Sequence, residues 1–306
     1  MLSASSLIRP SIFMNRSPLL NTIAIQLFSL PKLLEQDLPG TMAMLSKMGY
    51  KAMELYGPYP FSSEAGKKRW EAVIPSVGFS GSGFFNRGIQ EFKKIVSDQG
   101  IAIPSMHTDL DTLDKNMPQL AEAAHILGSE FVVLPALPDD KRKTLDDYKK
   151  AADLFNKIGA EAKKSGIKYA YHNHGYGLSP MEGKIPLNII LDNTDPKTVF
   201  LEMDLFWTTA GGADPISLLK KHSGRYKLMH IKDMSKKVKF SGDGGDAKQW
   251  IELWGYMTTA GNGVLDLKTI LTTAKKNGVQ HFIVEQDMVA EPEKALKLSH
   301  DYLAFL

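Results

Sequence analysis

Eight short strand-like segments alternate with longer helix-like segments from residue 22 to the end of the chain. The strand-like segments cover residues 22–28, 51–55, 101–107, 130–134, 167–172, 198–204, 226–231 and 281–285. Some of them, such as 131–134, are apolar at every position, which is typical of parallel strands buried on both faces. Eight consecutive strand–helix units within one domain, residues 22–306, predict a closed (β/α)8 TIM barrel rather than an open sheet.

Helical patterns fill most of the connections between these strands. They cover the later part of 31–48, which begins as a loop, and also 89–99, 115–127, 144–165, 186–191, a segment beginning at Asp214, 266–276 and 291–303. Two long connections, 62–88 and 233–263, show no helical pattern and are predicted to be loops. A loop of this length in a compact domain is usually a lid or a binding loop, and we expect that role for residues 62–88.

Residues 1–21 are predicted to form a flexible tail before the barrel. Their apolar stretches are interrupted by Arg9, Pro10, Arg16 and Pro18, whereas an export signal needs an unbroken apolar centre. The sequence therefore favours a cytoplasmic location but leaves an exported form open. No apolar run approaches the length that a membrane-spanning helix requires, so we expect no membrane association.

Charge and cysteine content exclude several function classes. The formal net charge is only +3 and there is no long basic block, so a nucleic-acid partner is not expected. The chain contains no cysteine, which excludes disulfides, thiolate metal sites and a cysteine nucleophile. A small-molecule partner remains as the expectation, and a homo-oligomer is compatible with this composition.

Metal-ligand residue types stand at the ends of four predicted strands. These residues are His172, Asp204, His230 and Glu285. The carboxyl ends of all strands meet at one face of a TIM barrel, where catalytic groups lie, so the four side chains could share a site. They could instead be structural polar groups that only terminate strands.

Seven short motifs occur in order along the chain and resemble those of a known superfamily. They are Ile25-Gln26-Leu27-Phe28-Ser29, Met48-Gly49-Tyr50-Lys51-Ala52-Met53-Glu54, Tyr171-His172-Asn173-His174, Glu202-Met203-Asp204-Leu205-Phe206-Trp207, His230-Ile231-Lys232-Asp233-Met234, Gly261-Asn262-Gly263-Val264-Leu265-Asp266 and Val284-Glu285-Gln286-Asp287. Together they resemble the xylose isomerase-like TIM barrel superfamily, which includes sugar phosphate isomerases and epimerases and inosose dehydratases.

The resemblance implies one divalent metal ion held at the ends of strands five to eight. The ligands it implies are His172, Asp204, His230 and Glu285. The first is a departure, because the sugar epimerases usually have a glutamate there that also transfers protons. His172 can bind metal as a neutral imidazole but cannot simply take over proton transfer. Two imidazoles and two carboxylates favour Mn, Co, Zn or Fe over Mg.

The resemblance also implies chemistry on a sugar or keto-sugar that begins with proton abstraction beside a carbonyl. Returning the proton elsewhere gives isomerisation or epimerisation, whereas expelling a neighbouring group gives elimination. Glu285 is the expected base, with His107 or His174 as acid. Lys232 shares a strand face with His230 and could stabilise the developing negative charge or lie on the surface.

Four further residues are expected to form the substrate-binding surroundings of this site. Glu54 and Tyr56 share a face at the end of the second strand, and Trp207 could form a wall of the pocket or fill the core. Glu202 should point into the barrel as a buried acid in a supporting role, since such a group needs partners. Residues 261–263 could bind an anion through backbone N–H groups, or form a plain turn.

Two alternatives remain open at this stage. One is a catalytically disabled carbohydrate-binding barrel, because of the histidine at position 172. The other is the endonuclease branch of the superfamily, which uses three zinc ions. That branch has a histidine ligand where this chain has Trp207, so the sequence disfavours it.

Overall fold

The structure, a computed structural model, describes residues 18–306. Within that range eight parallel strands close a barrel in which each strand pairs with its neighbours in sequence and the first pairs with the last. The strands are β1 Ala24–Gln26, β2 Ala52–Tyr56, β3 Ala102–His107, β4 Phe131–Leu134, β5 Lys168–His172, β6 Val199–Asp204, β7 Tyr226–Ile231 and β8 His281–Val284. The predicted TIM barrel is therefore confirmed.

Helices surround the barrel and fill the connections between its strands. In the described part of the chain they are α1 Pro31–Gln36, α2 Leu38–Met48, α3 Glu64–Val77, α4 Ile89–Ser97, α5 Leu110–Lys115, α6 Met117–Leu127, α7 Leu145–Lys164, α8 Pro186–Asp192, α9 Leu205–Ala210, α10 Pro215–Lys221, α11 Ala247–Trp254, α12 Leu267–Lys276 and α13 Pro292–Phe305. None of these helices combines the length and the apolar character needed to cross a bilayer.

Residues 62–88 are not a continuous loop, so that prediction was wrong for their first half. Helix α3 begins after Ser63, whose hydroxyl accepts a hydrogen bond from the N–H of Gly66 at 3.0 Å. The helix ends at Gly78, which has a φ of +74° and therefore closes it without steric cost. Gly66 and Pro75 inside the helix weaken the sequence pattern, which explains the error.

The second predicted loop, residues 233–263, also contains regular structure. Asp233–Met234 pairs antiparallel with Met257–Thr258 in a two-stranded ribbon, and α11 lies between these strands. The segment has its own apolar cluster, in which Met234, Leu253 and Met257 pack with Trp207 at the barrel mouth. It therefore covers part of the mouth.

The segment 31–48 contains two helices instead of a loop and a helix, and the predicted tail lies mostly outside the described residues. Asp37 caps α2 and so separates it from α1. The predicted helix 115–127 corresponds to α6, whereas α5, which precedes Asn116, was not predicted. Residues 1–17 are not described. The remaining part of the predicted tail packs on the barrel, since Leu20 is buried and Lys275 Nζ donates to the Leu19 carbonyl at 2.7 Å.

The inward-facing side chains of the barrel change from apolar to polar along the strand direction. A buried apolar layer closes the N-terminal end and consists of Ala24, Ala52, Phe131, Val133, Ala170, Leu228 and Ile283. Two residues further along four of these strands, on the same face, stand Glu54, His172, His230 and Glu285. The period of two along a strand thus places a polar layer directly above the apolar one.

Candidate metal and active site at the barrel mouth

Three predicted metal ligands come together at the ends of β6, β7 and β8. Asp204, His230 and Glu285 each offer a ligand atom, and these atoms lie within 4.8 Å of one another. His230 Nδ1 is 2.6 Å from Glu285 Oε2 and 3.8 Å from Asp204 Oδ2. All three residues are buried, so the group is shielded from solvent.

Lys232 lies beside this group with its ammonium buried among carboxylates. Its Nζ is 2.6 Å from Glu285 Oε2 and 3.2 Å from Asp204 Oδ2. It also lies 3.0 and 3.1 Å from the two oxygens of Asp287. The surface alternative for Lys232 was therefore wrong, because only 1% of the residue is exposed.

His172, the fourth predicted ligand, lies at the same site but has a different main partner. Its Nδ1 is 2.9 Å from Glu202 Oε2, and its Nε2 is 3.7 Å from Asp204 Oδ2. It forms a second, deeper group of potential ligands with His107, Glu202 and His230. The two groups share His230, so the structure offers two neighbouring positions for a cation.

Glu202 and Glu54 connect the deeper histidines into one network. Glu202 Oε2 also accepts from His107 Nε2 at 2.8 Å, which is the partner that a buried acid requires. Glu54 Oε1 contacts His107 Nε2 at 2.9 Å and His230 Nε2 at 2.6 Å. Both glutamates are thus in the interior network rather than at its open surface.

The carboxylates of this network set the protonation of its histidines. Burial opposes a charge on His107, but Glu54 and Glu202 raise its pKa to about 9. Burial also opposes a charge on His230, yet the surrounding glutamates raise its pKa well above the usual range. Burial and the nearby His230 lower the pKa of His172 well below the usual range. His172 is therefore a neutral imidazole, the form that binds metal.

Burial and neighbouring charges also shift the pKa values of two acids, Glu285 and Glu202, in opposite directions. Burial would raise the pKa of Glu285, but Lys232 and His230 hold it well below the usual range. Burial and the neighbouring Glu54 raise the pKa of Glu202 to about 7. Glu285 is therefore ionised and suited to hold a cation, whereas Glu202 is close to half-protonated near neutral pH.

The donor set fits a divalent ion. Five buried carboxyl groups, Glu54, Glu202, Asp204, Glu285 and Asp287, surround Lys232, His107 and His230, and His230 would release its proton on binding the ion. Asp204 Oδ2 is buried and accepts no hydrogen bond, although Lys232 Nζ lies 3.2 Å away. A metal ion would complete the pairing of this carboxylate oxygen. Two carboxylates with an imidazole are typical ligands of Mn, Fe, Co or Zn.

Asp204 also has a structural role at the start of α9. Its Oδ1 accepts a hydrogen bond from the Trp207 N–H at 2.9 Å and so caps the helix. The cap fixes the orientation of the carboxylate and leaves Oδ2 facing His230 and Lys232. One side chain therefore supports both the helix and the candidate site.

Aromatic rings form the wall of the site on the side of residues 233–263. Trp207 is buried and its ring stacks on Phe240. The centroid of the Trp207 ring lies 5.6 Å from Lys232 Nζ. His174 lies 4.6 Å from the His172 ring and 5.2 Å from Trp250, between ring centroids. His174 Nδ1 has no hydrogen-bond partner, and burial lowers the pKa of His174 to about 3. Trp207 belongs to the apolar cluster of this segment, and the predicted substrate contacts of Trp207 and His174 stay predictions.

Tyr56 does not join this group. Its hydroxyl donates to the Gly81 carbonyl at 2.8 Å, and its ring packs against Phe28 and Phe85. The side chain anchors the irregular segment after α3 to the barrel mouth. The Tyr56 hydroxyl therefore already has a hydrogen-bond partner within the protein. The predicted contact of Tyr56 with substrate stays a prediction.

Residues 261–263 bind an anion, but this anion is a side chain of the same protein. The Gly261 and Gly263 N–H groups donate to Asp233 Oδ2 at 2.9 and 3.0 Å. The N–H groups of Met234 and Leu265 donate to Asp233 Oδ1. The segment is therefore a turn held by a buried carboxylate rather than a site for an external anion.

Sequence reasoning missed two residues of the network. Asp287 contacts Lys232, and Gln26 donates from Nε2 to Glu54 Oε1 at 2.7 Å. Asp287 stands two residues after Glu285, as Lys232 does after His230, so the period of two could have found it. Gln26 similarly follows the inward-facing Ala24 in β1.

Comparison with known proteins identifies the family. The family model described as xylose isomerase-like TIM barrel matches residues 42–305. The chain belongs to this family.

One curated relative and two solved structures are similar to this chain. An inosose dehydratase from Clostridium perfringens is 31% identical over 261 residues, which cover 81% of this chain and 83% of the relative. A sugar phosphate isomerase/epimerase from Parabacteroides distasonis has the same fold, with a TM-score of 0.70, 24% identity and 92% coverage of both chains. The IolI protein, whose structure has a bound zinc atom, aligns with a TM-score of 0.64 at 15% identity and covers 93% of this chain and 95% of its own.

Proposed function

We propose that this member of the family is a metal-dependent lyase that removes water from a keto-sugar or keto-cyclitol. The observation that carries the proposal is the buried group of Asp204, His230 and Glu285 beside Lys232, at the ends of three adjacent strands. The relative named inosose dehydratase supports elimination over isomerisation. His172 supports the same choice, because it replaces the second carboxylate that epimerisation at this site would use.

In this proposal Asp204, His230 and Glu285 would hold the ion. His172 Nε2 lies 3.7 Å from Asp204 Oδ2 and could add a fourth ligand. A divalent ion bound there would act as a Lewis acid on the substrate carbonyl. Lys232 adds a fixed positive charge beside the same carboxylates, and Trp207 excludes water on one side. Charge that develops on the carbonyl oxygen would thus form next to preorganised cations.

Glu285 is the candidate base because one of its oxygens remains available. His230 and Lys232 both contact Oε2, which leaves Oε1 to receive a proton. Glu285 would take the proton from the carbon beside the carbonyl, and the electrons of that C–H bond would form the new C=C bond. The hydroxyl on the next carbon would leave, and with the transferred proton it becomes water.

The proton donor for the leaving hydroxyl follows from the states of the histidines. His107 carries a proton, but Glu54 and Glu202 share it at 2.9 and 2.8 Å. His174 is neutral, so it can hydrogen-bond a substrate hydroxyl but has no spare proton. When hydrogen and hydroxyl leave from one face, Glu285 can return to the hydroxyl the proton that it removed. The roles of His107 and His174 as acids stay predictions.

The test is incubation of the metal-loaded protein with an inosose in D2O, followed by NMR of substrate and product. We expect loss of one water and deuterium in the unreacted substrate at the carbon beside the carbonyl. Protein treated with a chelator should do neither, and added Mn²⁺ or Co²⁺ should restore both. Binding of the inosose without exchange or elimination would instead indicate a carbohydrate-binding barrel.

A further inference from the structure

A cleft of about 720 Å³ opens beside the candidate site, between the segment of residues 233–263 and the residues that follow β8. Its walls include Trp254, Met257, Asn262, Gln286 and Met288. These residues belong to connections at the carboxyl ends of the strands, the face where TIM barrels bind substrates. The volume lies within the range of pockets for drug-sized ligands and exceeds what one sugar ring fills.

Asp287 is shared by the cleft and the candidate site. It is one of the residues that line the cleft, and its carboxyl group lies 3.0 Å from Lys232 Nζ. Lys232 in turn is 2.6 Å from Glu285. The cleft is therefore adjacent to the candidate site, with the Asp287–Lys232 ion pair between them.

The lining of the cleft combines one aromatic ring with neutral hydrogen-bonding groups. Trp254 is partly exposed and offers an indole ring. Thr258, Thr259 and Asn262 offer hydroxyl and amide groups. Gln286 Oε1 is buried and accepts no hydrogen bond, so a ligand hydroxyl could satisfy it. An aromatic face with hydroxyl and amide groups complements a sugar ring, which has an apolar face and a polar edge.

The charged side chains of the lining are already paired within the protein. Asp287 pairs with Lys232, and Glu291 pairs with Lys294 at 3.4 Å. These are the charged residues among those that line the cleft, together with their partner Lys232. The Glu291–Lys294 pair is mostly exposed and contributes little, and the buried carboxyl group of Asp287 disfavours an anion such as phosphate. The lining therefore favours a neutral occupant.

We propose that the cleft binds a second, neutral glycosyl unit, so that the substrate is a two-ring glycoside whose reacting ring lies next to Asp287 and Lys232. This inference rests on the proposed function for the reacting ring, but it adds the class of substrate. Trp254 would stack on the second ring, while Asn262 and Gln286 would bind its hydroxyls. A single-ring keto-sugar would react at the site but leave the cleft empty.

Calorimetric titration of the metal-loaded protein tests the proposal without requiring turnover. The one-ring probes are glucose and methyl β-glucoside, the two-ring probes are cellobiose, maltose, sucrose and trehalose, and phenyl β-glucoside tests an aryl occupant. We expect at least one two-ring sugar to bind about tenfold or more tightly than the one-ring probes. Trp254→Ala should remove this difference and leave one-ring affinity unchanged.

Two further variants separate loss of a contact from loss of folding. Asn262→Ala changes an exposed cleft residue and should weaken two-ring binding by about threefold or more. Ile251→Ala is the matched control, since Ile251 lies in α11 with Trp254 but is 53% exposed and outside the lining. It should change neither affinity.

Three results would overturn the proposal: no two-ring sugar binds better than one ring, Trp254→Ala weakens both classes equally, or phenyl β-glucoside binds as well as the tightest two-ring sugar. The outcome is independent of the deuterium experiment. A protein that exchanges deuterium but shows no preference for two-ring sugars would contradict only the proposal for the cleft. A protein that prefers two-ring sugars but does not exchange deuterium would contradict only the proposed lyase function.

Discussion

Lys232 and Asp287 form a buried ion pair, with Nζ at 3.1 and 3.0 Å from the two carboxylate oxygens. The same ammonium contacts Glu285 and Asp204, so one cation touches three carboxylates. Lys232 therefore neutralises part of the negative charge of the candidate metal site.

Replacing Lys232 by methionine should strongly destabilise the metal-free protein. The change leaves buried carboxylates without their cation, and breaking a buried ion pair in this way typically costs about 3–5 kcal/mol. Urea unfolding of the chelator-treated protein should show a loss of that order. Added Mn²⁺ or Co²⁺ should raise the stability of the variant more than that of the wild type. Lys220→Met, at an exposed position, is the control and should change stability by less than about 0.5 kcal/mol. If Lys232→Met unfolded at the same free energy as the wild type, the burial of Lys232 among ionised carboxylates would be contradicted.

Replacing Asp204 by asparagine should remove metal binding but keep the helix cap. Asparagine caps helices about as well as aspartate, so α9 should remain, while the loss of an anionic ligand should lower metal affinity by about tenfold or more. Asp214→Asn is a matched control, because Asp214 caps α10 with a hydrogen bond from the Ser217 N–H at 3.0 Å. Metal content by elemental analysis should fall for the first variant only. Equal metal content in both would exclude Asp204 as a ligand.

Replacing Asp233 by alanine should destabilise the segment that covers the barrel mouth. The side chain is 1% exposed and accepts hydrogen bonds from four backbone N–H groups. Since a single buried donor without a partner costs about 1–3 kcal/mol, the unfolding free energy should fall by about 3 kcal/mol or more. Asp266→Ala removes only the cap of α12 and should cost about 1 kcal/mol. Chemical denaturation of the two variants would show whether the expected order holds.

Replacing Glu285 by glutamine should abolish deuterium exchange into an inosose. Loss of a general base typically lowers the rate by about 10²–10⁴-fold. Binding of the sugar should survive, because glutamine has nearly the same shape. Glu293→Gln, at an exposed position of α13, is the control and should keep full activity. Exchange at the wild-type rate in Glu285→Gln would remove Glu285 as the base.

The barrel could be predicted because its strands carry local signals. The apolar segments identify the strands, and the period of two along each strand identifies the inward-facing residues. His230 near the end of β7 and Lys232 just after it are an example. Asp204, His230 and Glu285 were expected to meet because parallel strands end at one face. Helix α3 was missed because Gly66 and Pro75 interrupt its pattern.

The partners of individual side chains could not be predicted from local signals. Glu54 contacts His230 although 176 positions separate them, and such a contact depends on the tilt and stagger of strands around the barrel. His172 was expected to share a metal site with Asp204, but its closer partner is Glu202. The depth at which each side chain lies follows from strand register rather than from its residue type.

Anomalous X-ray scattering from crystals grown with Co²⁺ tests the central claim most directly. Data collected on both sides of the cobalt absorption edge locate the ion without reference to activity. The proposed site predicts one strong anomalous peak bounded by Asp204, His230 and Glu285. No peak, or a peak only among His107, His172 and Glu202, would contradict it.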